Sequence, residues 1–179
     1  MSTVGSEGRS FAKISRQDLD RLASIAASDR ASFFATHADW ASLYADRHFA
    51  TALCQGAALH YLRGEVGVQD FDVYSFFASH PAKPWYAKRN KAADFGDPKF
   101  GRSPDRPDFV GRRVDLLGRG LDIAPGESPA SCIQRWLASG RTDSARLLAR
   151  KAVVLLEPVS DRGRVIWPFV SVAPEQPGR

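Results

Sequence analysis

Asp70-Phe71-Asp72-Val73-Tyr74-Ser75-Phe76-Phe77 is the stretch on which the fold reading turns. Aromatic and β-branched residues favour an extended, half-buried backbone, and Gly64 and Gly67 bracket a turn just upstream. A strand over about Gln69 to Phe77 follows. Successive side chains in a strand point to opposite faces. Phe71, Val73 and Ser75 therefore share one face; Asp70, Asp72, Tyr74 and Phe76 share the other. Two carboxylates on one face repel each other, an arrangement that suits a site where a divalent cation compensates them.

Upstream, Phe49 to Gln55 is a compact apolar run that reads as a buried strand, ended by Gly56. Ala57 to Arg63 contains good helix formers. Lacking a Cβ, Gly56 lets a ligand approach the backbone closely, and the start of the following helix offers free N–H groups to anionic oxygens. Downstream, Gly111 to Leu117 reads as a third strand, with Val114 and Leu116 on one face and Arg113, Asp115 and Leu117 on the other. Asp115 is thus a third carboxylate on a strand, and Arg113 beside it can pair with an aspartate or a phosphate.

Strand, turn, helix, Asp70-Phe71-Asp72 and a later Asp115 together resemble the nucleotidyltransferase superfamily of the DNA polymerase beta type. The likeness covers about Phe49 to Leu117. It implies an α/β (α+β) fold, a small mixed β-sheet flanked by helices. It also implies that Asp70, Asp72 and Asp115 bind two Mg²⁺ ions, and that Gly56 and Ala57 line the phosphate site; Gln55 and Arg113 are further nucleotide-binding candidates beside it. The family carries Gly-Gly or Gly-Ser at the turn. Here either Gln55 takes the first position and Gly56 the second, or Gly56 the first and Ala57 the second.

The function this implies is Mg²⁺-dependent transfer of a nucleoside monophosphate from a nucleoside triphosphate, ATP among them, to a hydroxyl acceptor. RNA, a protein and a small molecule all remain open as acceptor. Two other functions fit parts of the pattern. A module of the same fold would bind a nucleotide or nucleic acid without catalysis. A glycosyltransferase would use Asp-x-Asp to hold a metal-bound nucleotide sugar.

The chain has 179 residues, 44% hydrophobic and 25% charged, with a formal net charge of +5. That length and composition suit one domain with a sizeable core. The positive excess is compatible with a polyanionic ligand. Cys54 and Cys132 form no Cys-x-x-Cys pair, which argues against a thiolate zinc site. No apolar stretch of about 20 residues is present to span a membrane. The N-terminus lacks a signal-like apolar core, so a cytoplasmic protein with reduced cysteines is expected. No heptad or long exposed apolar stripe predicts an oligomeric state.

The remaining elements follow from periodicity. Residues 1–13 and 171–179 read as tails around a single domain over 14–170. Ser15 and Asp18 open a helix that runs to about Ala27, a second helix spans Asp29 to Thr36, and Trp40 to Tyr44 adds a turn or two. His80 to Phe109 is a long basic loop that includes Lys83, Trp85, Tyr86, Lys88, Arg89 and Lys91. A short helix is expected over Lys88 to Ala93. Gly118 and Gly120 suggest a turn, Pro129 to Ser139 a helix, Thr142 or Asp143 to about Leu156 a last helix, and Arg164 to Pro168 an edge strand.

Overall fold

The computed structural model describes residues 8–85 and 91–168, and within them six strands form one open mixed sheet. In chain order the elements are α1 (Arg16–Thr36), α2 (Ala38–Tyr44), β1 (His48–Cys54), α3 (Gln55–Arg63), β2 (Phe71–Ala78), β3 (Lys91–Asp94), β4 (Arg113–Leu121), α4 (Pro129–Ser139), α5 (Asp143–Leu148), β5 (Ala152–Glu157) and β6 (Val165–Trp167). The spatial order is β3-β4-β2-β1-β5-β6. β2 and β4 run parallel, and every other neighbouring pair is antiparallel. This is the small mixed sheet with helices that the sequence implies.

Two apolar layers sandwich the sheet. On one face Phe71, Val73, Val114, Leu116 and Val154 meet Leu19, Leu22 and Ala26 of α1 and Ala57 and Ala58 of α3. On the other face Tyr74, Phe76, Leu121, Val153 and Leu155 meet Ile133 and Leu137 of α4 and Leu148 of α5. Burying each large aliphatic side chain contributes roughly 1.5–3 kcal/mol. The alternation read for β2 is therefore observed, and it leaves Asp70 and Asp72 on the α4 side.

Several expectations are corrected. The two N-terminal helices are one: α1 runs unbroken through Ala27 and Ser28. Its start is a reciprocal cap, with the Ser15 side chain accepting from the Asp18 amide and the Asp18 carboxylate accepting from the Ser15 amide at 2.7 Å. Asp29, which suggests a helix break, lies inside α1, where Lys91 stands 3.3 Å from its carboxylate. The last helix stops at Leu148, and Ala152–Glu157 is β5 instead. Val153, Val154, Leu155 and Leu156 have no exposed edge because they fill a strand buried on both faces between β1 and β6. A short continuous apolar run carries no period that separates the two structures.

Gly118 and Gly120 lie within β4 rather than in a turn. Trp85 crosses them: a Cβ on Gly118 would stand 2.4 Å from the indole Nε1, and one on Gly120 3.2 Å from the Trp85 Cβ. Glycine in a strand here marks close approach of another group. Lys91 to Ala93 belongs to edge strand β3, not to a helix; Tyr86, Lys88 and Arg89 lie outside the described residues.

The chain is anchored ahead of residue 14, because Ser10 pairs with Val68 through two backbone hydrogen bonds of 2.9 and 2.7 Å. Residues 1–7 and 169–179 lie outside the described residues. Among the described residues no helix is long and apolar enough to cross a membrane.

Candidate active site

β1 ends at Cys54, and the chain turns directly into α3 through Gln55, whose φ is +62°. Among the described non-glycine residues only Gln55 has positive φ. A glycine adopts that conformation freely, while a side chain there stores strain. The position that wants glycine is thus 55, with Gly56 following it in the first turn of α3. Space beside Gly56 is open except for one group: the Lys151 ammonium lies 3.8 Å from where a Cβ would sit. The Gln55–Ala152 bridge holds Lys151, the residue before β5, in that place.

The acidic residues stand next to this turn. Cys54 on β1 faces Asp72 on β2, and Asp72 faces Asp115 on β4, so the three form one row across the sheet. Asp70 lies just before β2. Arg113 draws the outer carboxylates together: its Nη2 is 3.2 Å from Asp70 Oδ2, its Nε is 3.1 Å from Asp115 Oδ1, and its Nη1 reaches Asp105. Arg113 thus joins Asp70 to Asp115, and Asp72 stands in register beside Asp115.

Arg112 is a contributor the sequence did not announce. It is fully buried, donating from Nε to the Phe100 carbonyl at 2.6 Å, from Nη1 to the Gln69 carbonyl at 3.4 Å and from Nη2 to the Gly8 carbonyl. That clamp fixes the backbone immediately before Asp70.

The electrostatics follow from this crowding. Burial, then the charges of Asp70 and Asp115, push the Asp72 carboxyl up to about 7, against the opposing pull of Lys151 and Arg113. Asp115 is also raised, because burial outweighs its contact with Arg113. The Cys54 thiol is pushed well up by burial and by Asp72, so it is an inert, protonated neighbour. Tyr74, one same-face step along β2 from Asp72, is raised to about 12, mainly by burial. The region is a carboxylate cluster short of positive charge at its centre, with cationic Lys151 and the open end of α3 on one flank.

Among the described residues no group of three or more His, Cys, Asp or Glu side chains is arranged to hold a metal ion. Arg113 engages Asp70 and Asp115 there, two of the three carboxylates the sequence singles out. Lys151 was invisible to sequence reading for one reason: once residues 152–156 are read as helix, nothing puts Lys151 beside Gly56. Reading that run as a strand beside β1 would have found it. Comparison of the chain with protein-family models, with curated proteins and with solved structures returned no match.

Proposed function

We propose that this protein is a nucleotidyltransferase of the polymerase beta-like type, a divergent member acting on a nucleoside triphosphate in the cytoplasm. One observation carries the reading: Asp72 and Asp115 stand in register on adjacent parallel strands, with Asp70 drawn to them, beside a left-handed turn into α3. The hard oxygen donors and the raised Asp72 carboxyl fit a divalent cation, which would relieve the repulsion that burial now enforces. Bound Mg²⁺, held by Asp70, Asp72 and Asp115, would supply charge neutralisation at the transferred phosphoryl group.

The chain's own groups do the rest. The α3 amides from Gly56 onward and the Lys151 ammonium bind the β- and γ-phosphates. Arg113 exchanges its carboxylate partners for phosphate oxygens when the triphosphate enters. Asp115 orients the acceptor hydroxyl and takes its proton. The acceptor oxygen forms a bond to the α-phosphorus, the α–β bridging bond breaks, and pyrophosphate leaves.

The test is label transfer and pyrophosphate release from each of the four α-labelled nucleoside triphosphates with Mg²⁺. Transfer by the wild type, and at least 100-fold less by Asp72→Asn with an unchanged circular dichroism spectrum, is expected. Equal rates in wild type and variant would reject the assignment. Arg113 favours a second reading, nucleotide binding without transfer, because it already satisfies two of the three carboxylates. Calorimetry showing tight, metal-independent triphosphate binding without turnover would select it.

A further inference from the structure

Beyond the acidic cluster, the same sheet face carries a second site. Four residues along β4 from Asp115, about 13 Å of strand, stands Arg119. It lines a hollow of about 450 Å³, beside a second of about 390 Å³, between the ends of β2 and β4 and the α4–α5 corner. Ser79, Trp136 and Thr142 line both; Arg119 and Ser144 line one, and Arg141 the other.

Arg119 donates from Nη2 to the Ser144 hydroxyl, yet its Nε is buried with no hydrogen-bond partner. A buried donor on a permanent cation that lacks an acceptor is costly in the free protein, and a turn of the guanidinium towards an anionic oxygen in the hollow would satisfy it. Among the described residues Arg119 meets no carboxylate. Two carboxylates line the hollows, one in each: Asp143, which Arg146 holds, and Asp122, which is exposed; Glu127 close by is held by Arg135 at 2.8 Å. Arg141 is exposed. Trp136, half-buried and set edge-to-face on Phe76 at 5.9 Å, adds an aromatic surface.

We propose that this groove binds a single-stranded nucleic acid, with phosphates at Arg119 and Arg141 and a base against Trp136. Guanidinium groups interleaved with an indole and hydroxyl donors are the chemistry of strand binding without sequence readout. An acidic peptide would use the arginines but leave the aromatic surface idle. A strand serving as acceptor has about 13 Å of sheet to cross from Arg119 for its 3′-terminal hydroxyl to meet Asp115. The role of this strand as acceptor rests on the transferase reading; its binding does not.

The experiment is fluorescence anisotropy of the full chain with labelled single-stranded 12-mers, one RNA and one DNA, in EDTA so that no metal at the carboxylates contributes. Saturable binding is expected. Arg141→Ala and Trp136→Leu should each weaken it at least fivefold, and Arg119→Gln at least tenfold, with Arg119→Lys recovering part of the loss. The logarithm of affinity should fall with the logarithm of salt with a slope near −1.4, about 0.7 per phosphate for two contacts.

Arg141 is exposed, so its variant folds and reports even where Arg119→Gln does not. No binding by the wild type would overturn the proposal. So would binding unchanged by Arg141→Ala and Trp136→Leu, or equal competition by poly-glutamate. Strand binding without label transfer keeps the groove and rejects the transferase. Transfer to a small hydroxyl compound without strand binding does the reverse.

Discussion

Asp72 is the residue on which the proposed transfer depends, and its cost is measurable. It lies between Cys54 and Asp115 in the row across the sheet, and its carboxyl is held up at about 7 by burial and like charges. A carboxyl raised in the folded state binds a proton there that the unfolded chain has already lost. Ionising it therefore lowers stability as pH rises through that interval. Asp72→Asn removes the charge and keeps the shape. Without metal at pH 8 it should be more stable than the wild type by ~1–3 kcal/mol in urea denaturation, while transfer is lost. Lys151 makes the complementary case. Its ammonium sits by Gly56 and pulls against the rise at Asp72. Lys151→Ala should raise KM for the triphosphate about tenfold, with a smaller effect on kcat, and Lys151→Arg should restore most of it; steady-state kinetics read both. At this scale the sequence was generous with Asp70, Asp72, Asp115 and Arg113, because period-two alternation places side chains without knowledge of the rest. It was silent on Lys151 and Arg112, whose roles depend on partners 12 to 104 residues away or on a bridge between distant segments.

At the level of elements, β1, α3, β2 and the start of β4 were legible, since each carries a local signal: an apolar run, helix formers after a glycine, alternation. β5 was not. Its run of Val153 to Leu156 is buried on both faces, and a strand so enclosed loses the alternation that would identify it. Reading β4 as stopping at Leu117 failed for a different reason, because Gly118 and Gly120 answer to Trp85 rather than to a turn. That distinction has a test. If Gly118 stood in a turn at negative φ, alanine would be tolerated there. Against the indole, Gly118→Ala must displace Trp85 and should cost about 2 kcal/mol by urea unfolding, with a shift in tryptophan fluorescence.

The whole molecule is tied together by a polar cluster under α1. Arg30 donates to the Thr51 hydroxyl at 2.9 Å and the Ser75 hydroxyl at 3.2 Å, and lies 2.9 Å from Glu157, linking α1 to β1, β2 and β5. Thr51 in turn stands 2.9 Å from the His48 Nε2. Burial and the Arg30 charge lower His48 to about 4, against the opposing pull of Glu157. The folded state therefore keeps His48 neutral where the unfolded chain, titrating near 6.5, takes a proton. The contribution is full above about pH 6.5 and is lost as pH falls from there towards 4. Urea denaturation at pH 7.5 and 5 should differ by ~1–3 kcal/mol in the wild type, and by clearly less in His48→Gln. The same rigid sheet that this cluster braces holds the carboxylate row and the α3 turn in one frame.

The most direct measurement is the diffraction structure of crystals grown with Mn²⁺ and a non-hydrolysable nucleoside triphosphate, using the manganese anomalous signal. The account predicts a peak bridged by Asp72 and Asp115, the triphosphate against Gly56 and Lys151, and Arg113 turned from the aspartates onto phosphate. A triphosphate bound elsewhere, with Arg113 still joining Asp70 to Asp115 and no peak beside them, would contradict it.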